Sequence, residues 1–172
     1  MKPQIIFITG VPGSGKSSVS EELCKKFEKA VHIQVDQLRQ LVKAGYASPA
    51  NWTEETEKQY KLARKNASDL ARNFIDNGFT VIIDDIVRQK WVSEWKSHFD
   101  GIDVNFVLLQ PTIEVAKLRN QERIKWTVGE DIIDYLYDKL SKENTEDKSW
   151  IIINTSNHTI KETVDEVFAK LE

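Results

Sequence analysis

The stretch Gly10-Val11-Pro12-Gly13-Ser14-Gly15-Lys16-Ser17 fits the pattern G-x-x-x-x-G-K-[ST], the signature of a phosphate-binding loop. Its flanks supply the setting that the pattern requires. Before it, the apolar, β-branched run from Gln4 to Thr9 reads as a buried strand. After it, Val19, Leu23 and Phe27 recur at helical spacing from Lys16 onward. Gly10, Gly13 and Gly15 let the backbone turn its N–H groups toward a phosphate, at the positive end of the following helix. The predicted nucleotide-binding set is Gly10, Pro12, Gly13, Ser14, Gly15, Lys16, Ser17 and Ser18. Lys16 would reach the β- and γ-phosphates, and the Ser17 hydroxyl would bind Mg²⁺.

Outward from the loop, strand and helix patterns alternate. Val31 to Val35 reads as a second strand, followed at Asp36 by a short helix with Leu38, Leu41 and Val42 on one face. Residues 43–52 read as irregular. Thr53 caps a long helix to Asn77, with Glu54, Glu55 and Glu57 near its positive end. Tyr60, Ala63, Ala67, Leu70 and Phe74 make its buried stripe, and Gly78 stops it. The third strand, Phe79 to Asp84, is nearly all apolar, as a central parallel strand requires. Trp91, Val92, Trp95 and Phe99 predict the next helix, and Asp103 to Leu109 a fourth strand. Pro111-Thr112 opens a helix to about Ile124, with Val115, Ala116 and Leu118 inward. A break at Trp126–Gly129 separates it from a helix carrying Ile132, Ile133, Leu136 and Leu140. Ser149 to Ile153 is a fifth strand, and Thr159 to Leu171 the last helix. The alternation predicts an α/β fold in three layers: a five-stranded parallel sheet with helices on both faces and right-handed crossovers.

With 40% hydrophobic and 30% charged residues, the 172 positions suit one globular domain, 1–172, with a proper core. A net charge of −3 gives no general attraction to nucleic acid. The single cysteine, Cys24, excludes an intrachain disulfide. No apolar run reaches membrane-spanning length and the N-terminus reads as a core strand, so the expectation is a cytoplasmic protein with no membrane partner. His32, His98 and His158 are dispersed and lack metal-ligand spacing.

In parallel sheets ligands bind at the carboxyl ends of the strands. The loop, Asp36 and the pair Asp84-Asp85 all fall there. Asp36 is the candidate general base for an acceptor hydroxyl, and Arg39, one helical turn on, would hold the substrate. The alternative is a plain helix cap with a surface arginine. Adjacent residues on an extended chain point oppositely, so one of the pair is expected to serve the metal and the other to face substrate or a neighbouring helix, with Asp84 favoured for the metal and Asp85 for the substrate. Capping of the next helix is the competing reading. Arg119 and Arg123 lie four apart on one helix face beside the break, as a phosphate-closing lid needs, with Lys125 as a further cation. Solvated surface pairing is the alternative. Tyr46 and Trp52 would wall an acceptor pocket, whereas Tyr60 falls on the helix stripe and reads as core.

These features together resemble P-loop kinases of the small-molecule phosphotransferase kind. Phe7 to Ser18 carries the superfamily's loop. Asp36-Gln37-Leu38-Arg39 is similar to the base-plus-arginine segment of chloramphenicol phosphotransferases, zeta-toxin-like kinases and polynucleotide kinases. Val81 to Ile86, with Trp95 and Asp100 to Val107, is similar to the chloramphenicol phosphotransferases in particular. The chain also resembles bacterial gluconate- or shikimate-kinase-like proteins. The resemblance implies a P-loop NTPase fold with the first strand central, ATP with Mg²⁺ as cofactors, Asp36 as base, and Arg119 and Arg123 as nucleotide and lid arginines. Trp126 stands where the chloramphenicol enzymes tend to carry a further lid arginine, and Val11-Pro12 where their loop has small serines.

The expected function is transfer of the γ-phosphoryl group of ATP to a small-molecule hydroxyl such as an antibiotic or sugar. Lys16, Asp36 and Arg123 would be catalytic, Ser17 and Asp84 would hold the metal, and Asp36, Arg39, Tyr46, Trp52 and Asp85 would bind substrate. The lid spans about 119–131 and the acceptor region about 36–60. One rival is a nucleic-acid 5′-hydroxyl kinase, for which Lys58, Lys61, Arg64, Lys65 and Arg72 would form a basic helix face. The other is a non-catalytic nucleotide-binding regulator.

Overall fold

The structure, a computed structural model, describes residues 2–123, 127–144 and 149–171. Five strands form one parallel sheet: β1 (Ile5–Thr9), β2 (Ala30–Gln34), β3 (Thr80–Asp84), β4 (Val104–Leu109) and β5 (Trp150–Ile153). Their spatial order is β2-β3-β1-β4-β5, so the strand that feeds the phosphate loop is central. Phe7 lies in register with Ile83 on one side and Phe106 on the other.

The pleat sorts the apolar residues between two cores. Ile5 and Phe7 of β1 face one layer, with Ile83 and Phe106 from the neighbouring strands. Ile6 and Ile8 face the other, with Ile82, Val107 and Ile153. The second layer is closed by α1 (Lys16–Cys24) and α7 (Ile160–Leu171) through Val19, Leu23, Val164 and Val167. The first takes α3 (Glu54–Asp76), α4 (Gln89–Ser97), α5 (Ile113–Gln121) and α6 (Glu130–Glu143). Phe7 stacks on Phe106 with ring centroids 4.7 Å apart and meets Trp95 at the same distance. Such aromatic pairs add to burial at the sheet centre.

The short α2 (Val35–Arg39) and the long α3 pack on each other. Thr53 caps α3 by accepting from the Thr56 N–H, and the Thr56 side chain answers the Thr53 N–H. Gly78, at φ 83°, takes the left-handed turn that ends the helix region.

Several side chains depart from the sequence expectation. Leu41 is 67% exposed because α2 stops at Arg39. Along α3 the buried stripe runs through Ala63, Ala67 and Ala71, small residues at i, i+4 that let the helix approach the sheet, and Leu70 is left outside. Leu118 is 57% exposed, while Asn120 is buried in its place. Asn120 Nδ2 donates to the Val128 carbonyl at 2.9 Å, and the Val128 N–H donates to Asn120 Oδ1 at 3.2 Å. This two-way clamp fixes the end of the α5–α6 connection. Ile132 also lies outside, with Ile133 and Leu140 buried. The predicted lid positions Ile124, Lys125 and Trp126 lie outside the described residues. Among the described residues no helix is long and apolar enough to cross a membrane.

Candidate functional site

The phosphate loop joins β1 to α1. Gly15 precedes the helix at φ 94° and no side chain caps it, so the first N–H groups of α1 are left to a ligand. Gly13 is the tightest point. A Cβ there would sit 2.0 Å from the Ala116 carbonyl oxygen, so the loop rests directly on α5. The helix that braces the loop is therefore the helix that carries Arg119.

A cleft of about 410 Å³ opens over the loop. Residues 13–19, Arg119, Arg123, Thr155, His158 and Thr163 are among its lining, whereas Gly10 and Pro12 shape the turn behind it. Arg119 donates through Nη2 to the carbonyls of Thr155 (3.0 Å) and Ser156 (3.4 Å), which ties α5 to the segment after β5. The 155–163 wall was invisible in the sequence, because no motif marks it.

Lys16 Nζ donates to the Gly10 carbonyl at 2.9 Å and lies 3.4 Å from that of Val11. Desolvation by its surroundings lowers its pKa, Asp84 and Asp36 oppose this, and the charge of Arg123 adds to the lowering. One lysine thus feels the candidate metal carboxylate, the candidate base and the lid arginine.

The two aspartates at the end of β3 have separate neighbours. Asp84 Oδ2 accepts from the Ser17 hydroxyl at 2.5 Å. His32 Nε2 lies 3.7 Å from the same oxygen, an ion-pair distance rather than a hydrogen bond. Burial works against the Asp84 charge, but His32, Lys16 and Ser17 outweigh it and hold its carboxyl below the usual range. The spacing of histidines along the chain gave no sign of His32, which reaches Asp84 only because β2 pairs with β3. A hydroxyl and one carboxylate are hard oxygen donors that suit Mg²⁺ completed by phosphate and water. Among the described residues no group of three or more His, Cys, Asp or Glu could hold a metal by itself.

Asp85 faces α3 instead. Its Oδ2 lies 3.8 Å from Arg64 Nε, and burial, opposed by Arg64 and reinforced by Asp36, pushes its pKa up to about 6. Arg64 is only 5% exposed and its guanidinium stacks 4.0 Å from the Trp91 ring. Arg64 is therefore not part of a basic outer face on α3. Arg64 turns inward, while Lys58, Lys61 and Lys65 pair with Glu55, Glu57 and Asp69 on their own helix.

Asp36 is exposed on α2, and its charge is felt at Tyr60 and Asp85. Arg39 is buried rather than open to a ligand. It donates to the Ala47 carbonyl at 2.9 Å and to the Tyr46 hydroxyl, and it lies 4.5 and 4.4 Å from the Tyr46 and Tyr60 rings. Tyr60 joins this group and is only half-buried, which corrects its reading as core. Trp52, 56% exposed, stacks on Tyr60 at 5.3 Å with the rings 15° apart. Gln59 holds the segment in place, accepting from the Ala47 N–H at 3.0 Å and donating to the Gly45 carbonyl at 2.8 Å.

With this geometry in hand, comparison with known proteins places the chain. The sequence profile of the family described as "AAA domain" matches residues 5–161. The chain belongs to that AAA-domain family. Among curated proteins, the uridine kinase of Clostridium tetani is 47% identical over 36 residues, 21% of this chain. The match spans only 17% of that kinase's length. Among solved structures, the tunicamycin resistance protein of Deinococcus radiodurans superposes with a TM-score of 0.70 at 15% identity. That superposition covers 99% of this chain and 96% of the other. A gluconokinase from Sinorhizobium meliloti 1021 gives 0.72 at 17% identity, over 98% and 91%. The fold of this AAA-domain protein is that of P-loop kinases.

Proposed function

We propose that this protein is an ATP-dependent kinase that transfers the γ-phosphoryl group to a hydroxyl of a small molecule. The observation that carries the reading is the convergence at Lys16. A phosphate-binding lysine lies within electrostatic reach of a carboxylate from each of two neighbouring strand ends, Asp36 and Asp84, and of Arg123. A bare nucleotide-binding switch has no need of the second carboxylate or of the aromatic wall beyond it. The kinases among the structural relatives favour the same reading.

In the proposed step the acceptor oxygen bonds to the γ-phosphorus as the bond to the β–γ bridging oxygen breaks. ADP leaves with that electron pair, and the acceptor proton passes to Asp36. Loop N–H groups and Lys16 hold the phosphates, and Arg123 meets the charge spread over the transferring group. Arg119 orders the cleft wall at Thr155 and Ser156. Bound Mg²⁺, held by Ser17 and Asp84, would neutralise phosphate charge. The acceptor stands on the side of Asp36, Asp85, Tyr46 and Trp52.

Transfer from [γ-³²P]ATP tests this directly. With Mg²⁺ and a panel of hydroxylated metabolites and antibiotics, label is expected in an organic phosphate ester, with ADP released only when that acceptor is present. Label that appears only as inorganic phosphate, whatever the acceptor, contradicts the reading.

A further inference from the structure

The acceptor side holds buried polar atoms that lack a hydrogen bond, Asp85 Oδ2 and Arg64 Nε among them, which face each other at 3.8 Å, an ion pair too long for a hydrogen bond. Asp85 Oδ2, Arg64 Nε and Nη1, and Arg39 Nε are all buried without a hydrogen-bond partner. They come from the end of β3, from α3 and from α2, yet they lie around the same half-buried Tyr60. Its ring is 4.4 Å from the Arg39 guanidinium and 5.9 Å from that of Arg64, and its hydroxyl feels Asp36 and Asp85. Buried polar groups are ordinarily satisfied, so a cluster of orphans at one place is the imprint of a missing partner.

The orphans specify that partner's chemistry. Asp85 Oδ2 calls for a donor, while the arginine nitrogens call for acceptors. A hydroxyl supplies both at one atom, and neighbouring hydroxyls can serve Asp85 and Arg64 together. The charge count narrows the choice. Asp36 and Asp85 formally balance Arg39 and Arg64. An acceptor with its own carboxylate or phosphate would bring a third negative charge beside two carboxylates. Tyr46 and Trp52 complete the site as exposed aromatic faces, suited to the C–H faces of a ring or polyol chain.

We infer that the acceptor is an uncharged polyhydroxylated small molecule, one hydroxyl of which is directed at Asp36 while its neighbours bridge Asp85 and Arg64. This rests on the kinase reading and adds the substrate class and a role for Arg64. Its binding would draw the 43–52 segment away from the closed stack, since the unpaired atoms are covered in the structure. Asp85 touches the acceptor. Arg64, held by Trp91, is the specificity-determining partner.

The test compares sorbitol with D-gluconate, which share a carbon skeleton and differ in charge, and adds D-ribose, myo-inositol, uridine and chloramphenicol. Each is assayed for acceptor-dependent ADP release and for phosphate-ester product. A neutral polyol is expected to exceed gluconate in kcat/KM by about tenfold or more. Asp85→Asn and Arg64→Lys are each expected to raise KM for that polyol by about tenfold with the Kd for ATP held within about twofold. The ATP measurement also shows that each variant is folded. Preference for gluconate over every neutral acceptor overturns the inference and leaves the kinase standing. So does an unchanged KM in both variants. ATP binding with no transfer to any probe contradicts the kinase reading, and this inference falls with it.

Discussion

The two halves of the site are built differently. The phosphate cradle of the nucleotide half comes from one continuous stretch, 10–18, which offers backbone N–H groups and a helix end whose geometry is already set. The proposed acceptor half is assembled from α2, the 43–52 segment, α3 and the end of β3. It would work through side chains, and several of its buried polar atoms lack a hydrogen-bond partner. A phosphate is the same in every nucleotide, so a fixed backbone cradle suits it. An acceptor is particular, and side chains on separate elements can be tuned to it.

Substitutions that reach one half and spare the other sharpen this contrast. Lys16→Ala is expected to have the largest effect, lowering kcat for transfer by about 10³-fold, read in steady-state assays. Next is the brace between loop and lid helix. Gly13→Ala places a Cβ against the Ala116 carbonyl at a positive φ and is expected to destabilise the fold by about 3 kcal/mol. Gly45→Ala, also at positive φ but with nothing within 4 Å, should cost about 1 kcal/mol. Equilibrium urea unfolding measures both, and equal losses would break the claim that the loop is seated on α5.

On the acceptor side, Trp52→Ala removes an exposed aromatic face. It should raise KM for the acceptor by about three- to tenfold, with ATP affinity unchanged in a calorimetric titration. A smaller effect concerns Asp85. Its folded-state pKa of about 6 lies above its ordinary 3.8, so the native state binds that proton more tightly than the unfolded chain does. That contribution is full below pH 3.8 and is lost as pH rises through 6. In metal-free, nucleotide-free protein, the melting temperature of Asp85→Asn relative to wild type should therefore climb between pH 4 and pH 7. A flat difference would mean that burial does not hold the Asp85 pKa above its ordinary value.

The sheet and the phosphate loop were legible because short-range patterns govern them. A buried parallel strand is a run of apolar residues, and the loop's glycines and lysine are fixed by phosphate geometry. Thr53 was legible as a cap for the same local reason. Arg64 was not. On a helical wheel it joins Lys61 and Lys65, and only the placement of Trp91 and Asp85 turns it inward. His32 likewise reaches Asp84 through strand pairing, which no spacing along the chain reveals. Leu118 and Leu70 misled because hydrophobicity marks what can be buried, whereas close approach selected Ala116 and Ala71. The acceptor half depends on such long-range meetings and so was the less readable.

The two-halves account is tested most directly by Asp36→Asn, measured for ATP binding and for single-turnover transfer in the same preparation. ATP affinity within about twofold of wild type, with transfer slowed by about 10² to 10⁴-fold, is the predicted result. Transfer that proceeds undiminished would contradict it, because phosphoryl transfer would then not need the carboxylate proposed as its base.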